Sequence, residues 1–408
     1  MSIADRVAGP PFADVPDQVA QGAGPAVSKA AVSRPAAADR ELRLDLFRGL
    51  ALWLIYIDHA SPDVLTWLTI RNYGFCDAAE IFIFVSGYTA AFVYGRVMLK
   101  SGFLIATARI LKRVWQIYLA HMFLFTVYFA EIVYLAARFH NPHYTEEMGI
   151  ESFLNRPDLA IVQALLLRFR PLNMDVLPLY IVLMSFLPLV LWLMKWRPDV
   201  TLALSVVLYA LAKHYDLYLA AYPSGFWAFN PYDWQLLFVF GAWCALGGAK
   251  RMARMLSSPI TLCVAFAYLL AAFGVTLTWD FPQLEHVMPG WMERLIYPID
   301  KTDLDLLRFL HFLALAAVAV YFVPGNWPGL KSPWLWPMIQ CGQFSLQIFC
   351  LGVFLSFAGY FVLTEASAGI GLHLVIGLAG ILIMCGTAWL LSWYKHYAGQ
   401  TLKSDFVG

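Results

Sequence analysis

Residues 43–62 read RLDLFRGLALWLIYIDHASP, an almost entirely apolar run that carries Asp45, Arg48, Asp58 and His59. A run of this length suits one membrane-spanning helix, and ionisable residues inside such a span are costly and usually mark function. Arg48 and His59 are eleven residues apart, which on a helix is three turns plus roughly 20°, so both side chains project from one face. At ~1.5 Å per residue they lie about 16 Å apart along the axis. The helix therefore presents a cation near one end and a proton acceptor near the other.

The whole chain has the composition of a membrane protein. Hydrophobic residues make up 61% and charged residues 13% of its 408 residues, and the mean hydropathy is +0.65. A soluble domain carries about 25% charged residues, so we predict an all-α integral membrane protein embedded in a lipid bilayer. The net charge of +1 argues against a nucleic-acid partner. The cysteines and histidines lack metal-ligand spacing, which predicts neither disulfides nor a metal site. We also expect no permanently bound cofactor.

Ten apolar stretches approach the ~20 residues that a transmembrane helix needs. Positively charged residues favour the cytoplasmic connections if the N-terminus lies inside, so we predict cytoplasmic termini. Residues 1–40 are predicted to be a disordered Ala/Pro-rich cytoplasmic tail, 41–398 the membrane domain, and 399–408 a cytoplasmic C-terminal tail. The predicted spans are 44–62, 77–98, 114–138, 174–195, 199–221, 232–249, 258–278, 304–323, 338–363 and 368–394.

His59 is the first candidate for chemistry, although a histidine on an apolar face is also a common structural residue. Neutral imidazole is the side chain best suited to proton transfer near pH 7. Asp58, Asp77 and Glu80 are predicted at a similar depth, and a carboxylate beside the ring would stabilise the imidazolium. Adjacent residues of a regular helix do not face each other, so Glu80 is a better candidate than Asp58. Pro62 disfavours helix at Ser61, so the helix end is predicted to be irregular and Asp58 also stays a candidate partner of His59.

Arg48 is predicted either to anchor the helix at the cytoplasmic headgroups or to bind an anionic ligand. Asp45, three residues earlier, is placed to position its guanidinium. Ser86 and Gly87 lie among bulky residues in IFIFVSGYTAAF. Small residues permit close helix approach, and the alternative is a narrow passage in which a ligand lies against the backbone.

Four further residues are predicted to line a cavity or to bind an acceptor. Arg308 and His311 lie three residues apart and share one face of the eighth predicted span. Asp233 and Trp234 open the sixth span in FNPYDWQLLF, where a carboxylate beside an aromatic ring would suit a sugar. Interhelical hydrogen bonding and the aromatic belts of membrane proteins are the alternative explanations.

Several blocks of the sequence together resemble a known family. The Arg48-x10-His59 pattern and the following IFIFVSGY resemble the membrane acyltransferase-3 superfamily. Within it the chain is similar to the OpgC family, over nearly the whole predicted membrane domain. The blocks that carry this resemblance are LDLFRGLALWLIYIDH, RNYGFCDAAEIFIFVSGYTAAFVYGR, VLPLYIVL, NPYDWQLLF, LRFLHFLALA and CGQFSLQIFCLGVF.

The resemblance implies transfer of succinyl groups to osmoregulated periplasmic glucans in the bacterial inner membrane. Succinyl-CoA would be the acyl donor from the cytoplasm, and the glucan would be the acceptor outside. Arg48 and His59 occupy the superfamily motif, with His59 at the catalytic position; Asp58, Glu80, Ser86, Arg308 and His311 are less direct extensions. Two alternatives stay open. One is a transporter or flippase of a saccharide or acyl carrier, and the other is an acyltransferase for another acyl group or acceptor.

Overall fold

The computed structural model describes residues 41–61, 64–141, 143–281, 283–284, 290–297, 299–366 and 369–404. The predicted N-terminal tail, 1–40, lies outside these residues. No β-strand occurs in the described ranges. Their α-helices are α1 Leu42–Ala60, α2 Ala78–Phe139, α3 His143–Glu147, α4 Glu151–Asn155, α5 Pro157–Leu165, α6 Val176–Trp196, α7 Pro198–Tyr215, α8 Pro231–Trp243, α9 Ala249–Leu256, α10 Pro259–Asp280, α11 Gly290–Ile296, α12 Leu306–Phe322, α13 Trp336–Gln343, α14 Ser345–Glu365 and α15 Ile370–Ser404.

The helices have the length and surface of a membrane protein. In the described part of the chain, six helical segments are long and apolar enough to cross a bilayer, and α12 is a shorter apolar helix. Large apolar side chains on α10 and α15 are exposed, among them Ile260, Leu270 and Leu382. Extended apolar surfaces are rare on soluble monomers, so these helices face lipid. The chain is an all-α membrane protein, and the count of ten spans stays a prediction.

Helix α1 lies at the centre of the bundle, packed against α2, α13 and α14. It ends at Ala60, because Ser61 adopts a non-helical conformation (φ −146°, ψ 72°), as the following proline predicted. A side chain at Gly49 would overlap the backbone carbonyl of Met338 in α13, and one at Gly342 would overlap that of Asp45. These two glycines let the backbones of α1 and α13 approach closely, which fixes the position of α1.

Helix α2 covers two predicted spans, 77–98 and 114–138, and the stretch between them. It begins with a capping box: Asp77 accepts from the backbone of Ala79 at 2.8 Å, and Glu80 accepts from the backbone of Asp77 at 2.9 Å. The helix is broken at Gly102, whose φ of 82° and ψ of 172° are accessible almost only to glycine. Its first part packs on α6 and α8.

The long connection after α2 forms three short helices that fold back over the end of α1. Tyr128 of α2 donates to the sulfur of Met148 at 3.5 Å, and the rings of Phe129 and Phe153 lie 4.4 Å apart. Tyr144 donates to the carboxylate of Glu365 at the end of α14. These contacts place α3 beside the C-terminal ends of α1 and α14, and so close a space around His59.

Candidate active site

A cavity of about 170 Å³ lies at the C-terminal end of α1. Five separate segments of the chain form its wall, and most of the lining side chains are polar. The predicted base, His59, and its neighbour Asp58 both line it. The complete lining is Asp58, His59, Arg71, Glu147, Met148, Leu172, Asn173, Phe357 and Tyr360.

His59 is half-buried in the last turn of α1 and borders the cavity. The charged groups close enough to act on its ring are Lys301, Asp77 and Arg71. Asp58 is buried and accepts a hydrogen bond of 2.6 Å from the hydroxyl of Thr69. The imidazole of His59 is therefore placed to meet a ligand, whereas the carboxylate of Asp58 fastens the connection that follows α1.

That connection brings in Arg71, which sequence reasoning missed. Thr69 caps the 3₁₀ turn Ile70–Tyr73, and its hydroxyl oxygen accepts from the backbone of Arg71 at 3.4 Å. The hydroxyl of Thr69 thus links Asp58 to the turn that carries Arg71. The side chain of Tyr73 donates to the backbone of Trp67 at 2.7 Å, which further fixes the turn. Arg71 lies in one of the motif blocks, yet only the folded connection brings it beside His59.

The opposite wall is supplied by α3 and α14, far from His59 in the sequence. Glu147 lies 2.9 Å from Nε2 of His143 and accepts a hydrogen bond from Tyr360. Asn173 and Phe357 complete this wall. Nothing in the sequence singled out Glu147 or Tyr360.

Arg48, Asp45 and Ser86 lie apart from the cavity lining. The guanidinium of Arg48 is half-buried and donates to the backbone oxygen of Val85 at 3.3 Å, one residue before Ser86. Asp45 and Ser86 are both buried. A side chain at Gly87 would overlap the backbone of Phe238 in α8, which fits the close-approach interpretation of the Ser86–Gly87 pair.

Glu80 lies in a buried ion-pair network rather than against His59. Arg308 donates to one oxygen of Glu80 from two nitrogens, at 2.9 and 2.6 Å, and the other oxygen is the capping-box acceptor. Arg308 also lies 3.6 Å from Asp77, which pairs with Lys301. Asp77 precedes α2; burial raises its pKa, but the positive charges of Lys301 and Arg308 hold that pKa below its ordinary value. Glu80 therefore supports the start of α2 and its contact with α12.

His311 is buried beside the same network, away from the cavity lining. Its Nδ1 lies 2.9 Å from the sulfur of Cys76, and its ring packs 5.8 Å from that of Phe75. A side chain at Gly74 would overlap the His311 ring. His311 therefore holds the end of the connection against α12. Neither His311 nor Arg308 lines the cavity at His59, so their predicted role in binding an acceptor stays a prediction.

Asp233 and Trp234 are not brought to the cavity. Asp233 accepts from the amide of Asn230, which precedes α8. The Trp234 indole is completely buried and donates to the backbone oxygens of Lys301 and Thr302, both at 3.1 Å. A buried ring presents no face to a sugar, so the predicted acceptor role of Trp234 does not fit the structure. Trp234 thus fastens the segment that carries Lys301, and Asp233 holds Asn230, whose backbone donates to Thr302 at 2.9 Å.

Comparison with known proteins gives one family. A family model described as OpgC protein matches residues 40–396, which include every helix from α1 to α14 and most of α15. No curated protein matches the chain, and no solved structure matches it. The match includes all the residues that line the cavity.

Proposed function

The chain belongs to the OpgC family of glucan-modifying acyltransferases, and on that premise we propose that it transfers a succinyl group from succinyl-CoA to a hydroxyl of an osmoregulated periplasmic glucan. The observation that carries the proposal is the position of His59 in a cavity at the end of α1 whose wall also carries Asp58, Arg71 and Asn173. A half-buried imidazole beside space for a small acyl group suits a general base.

We assign the proton transfer to His59. The imidazole accepts the proton of a glucan hydroxyl while the oxygen attacks the thioester carbonyl of the donor. The tetrahedral intermediate then collapses, the C–S bond breaks, and the thiolate of coenzyme A takes the proton from the imidazolium. The products are a glucan O-succinyl ester and free coenzyme A. The developing oxyanion needs a hydrogen-bond donor, and the amide of Asn173 lines the same cavity.

The donor reaches His59 from the opposite end of α1. Arg48 projects from the same helical face, about 16 Å before His59, and a guanidinium binds phosphate well. We propose that Arg48, positioned by Asp45, meets the phosphates of coenzyme A, while the extended pantetheine arm carries the thioester toward the cavity. An Arg48→Ala variant should then raise the KM for the donor and leave the KM for the glucan unchanged.

The acceptor meets the wall formed by α3 and α14. Glu147, Asn173 and Tyr360 offer hydrogen-bonding groups for sugar hydroxyls, and Phe357 offers an apolar face. We propose that the cavity opens toward the periplasm and that both termini lie in the cytoplasm of a bacterial inner-membrane protein with ten spans. The distribution of Lys and Arg in the sequence supports this orientation.

The test uses membranes that contain the full chain, radiolabelled succinyl-CoA and purified periplasmic glucans. Wild type and the control His214→Ala, whose histidine is exposed and does not line the cavity, should both label the glucan. His59→Ala should not.

Equal labelling by all three proteins would keep the reaction and remove His59 as its base. Labelling from acetyl-CoA but not from succinyl-CoA would overturn the assignment of the acyl group. Movement of glucan across proteoliposome membranes without covalent change would overturn the transferase itself.

A further inference from the structure

Arg71 places a cation at the cavity, within electrostatic reach of the carboxylate of Asp58. Its side chain is exposed and borders the same space as His59. Throughout the described ranges, the only hydrogen bond of Arg71 outside regular helices is made by its backbone, to Thr69. No described carboxylate forms an ion pair with its guanidinium.

The two carboxylates of the cavity are already engaged with other groups. Asp58 accepts from Thr69 at 2.6 Å. Glu147 lies 2.9 Å from Nε2 of His143 and also accepts from Tyr360. Neither carboxylate forms an ion pair with Arg71 among the described contacts, so the donors of its guanidinium are available to an anion that enters the cavity.

The position of Arg71 is fixed in relation to His59. The hydroxyl of Thr69 bonds both to Asp58, the neighbour of His59, and to the backbone of Arg71. Asn72 is held from two sides: its amide donates to Thr66 at 3.4 Å and its backbone oxygen accepts from Thr276 at 3.2 Å. The turn that carries the guanidinium is thus tied to α1 and α10, which preorganises a binding group at low entropic cost.

The size and chemistry of the space favour a short dicarboxylic acyl group. About 170 Å³ is roughly ten times the ~10–15 Å³ that one water molecule requires. A guanidinium binds a carboxylate through two parallel hydrogen bonds, and such charge-assisted bonds are strong and directional. We propose that Arg71 binds the free carboxylate of the acyl group while the thioester carbon lies at His59, so that Arg71 selects succinyl over uncharged donors. This proposal rests on the proposed function.

The test compares succinyl-CoA with butyryl-CoA, in which a methyl group replaces the free carboxylate. Wild type, Arg71→Gln, Arg71→Lys and the control Arg156→Gln are assayed with both donors in membranes. Arg156 is an exposed residue paired with Asp158 and does not line the cavity. Arg71→Gln should lower kcat/KM for succinyl-CoA by about 10- to 100-fold, mainly through KM, since one charged hydrogen-bonding pair is lost. Transfer from butyryl-CoA should stay within about twofold of wild type.

The butyryl reaction also reports whether each variant is folded. Arg71→Lys should recover part of the succinyl activity, because the charge remains while the planar fork is lost. An equal loss with both donors, or a raised KM for the glucan alone, would overturn the assignment of Arg71 and leave the proposed function intact. If the wild-type protein used neither donor, both the assignment of Arg71 and the proposed function would be overturned.

Discussion

Replacing Glu80 by alanine removes the carboxylate that accepts two hydrogen bonds from Arg308. Both side chains are buried, at 0% and 11% exposure respectively. Removing one partner of a buried ion pair costs about 3–5 kcal/mol, because the other charge stays buried without compensation. Asp77 lies 3.6 Å from Arg308 and compensates in part, so we expect about 3 kcal/mol for Glu80→Ala.

The double variant separates the ion pair from general packing. Arg308→Met together with Glu80→Ala removes both charges and leaves Asp77 paired with Lys301. The loss should then be smaller than the sum of the two single losses, by about 2 kcal/mol. Glu80→Gln keeps an oxygen acceptor without the charge and should cost about half as much as Glu80→Ala. The measurement is the free energy of unfolding of the purified protein in mixed micelles, titrated with sodium dodecyl sulfate.

The same variants distinguish two roles of Glu80. Since Glu80 contacts Arg308 and the start of α2, the proposed succinyl transfer per folded molecule should fall by no more than about tenfold in Glu80→Gln. If the losses of the two single variants add up to that of the double variant within about 0.5 kcal/mol, the Glu80–Arg308 pair contributes little to the free energy of unfolding. A hundredfold loss of transfer at unchanged stability would instead make Glu80 the carboxylate partner of His59.

Three further changes test the packing and the tie between Thr69 and the cavity. Gly49→Ala should lower the free energy of unfolding in micelles by about 1–3 kcal/mol, because the added methyl group overlaps a carbonyl of α13. The control Gly274→Ala, in open space on α10, should raise it by about 0.5–1 kcal/mol. Equal effects of the two substitutions would contradict the close approach of α1 and α13. Gly102→Ala should cost about 1–3 kcal/mol, since alanine rarely adopts its backbone conformation, and an unchanged unfolding midpoint would refute this. Thr69→Val should raise the KM for succinyl-CoA about 3- to 10-fold, with butyryl-CoA as the control donor; an equal rise for both donors would mean that Thr69 does not act through Arg71.

The features that sequence reasoning predicted well depend on neighbouring residues. The helix that carries Arg48 and His59 follows from one apolar run, and its end at Ala60 follows from the proline beyond it. In each case the determining residues lie within one or two turns of each other, where periodicity and backbone preferences act directly.

The features that it missed depend on pairs of residues far apart in the chain. Glu80 and Arg308 are 228 positions apart, and Tyr360 meets Glu147 across 213 positions. Sequence spacing carries no information about such contacts, since they exist only once the helices pack. For the same reason a tryptophan at the start of a span, such as Trp234, looked available to a sugar although the loop at Lys301 covers it completely.

The break at Gly102 determines how α2 passes through the bilayer. A straight helix of 62 residues would be about 93 Å long at ~1.5 Å per residue, three times the thickness of a hydrocarbon core. Yet both ends of α2 lie near His59. The charge of Asp77, at the start of the helix, acts on the His59 ring, and Glu147, just beyond the end of the helix, lines the cavity that contains His59. The chain must therefore reverse its direction at this one glycine, so that α2 is a helical hairpin whose two arms both return to the site where acyl transfer is proposed.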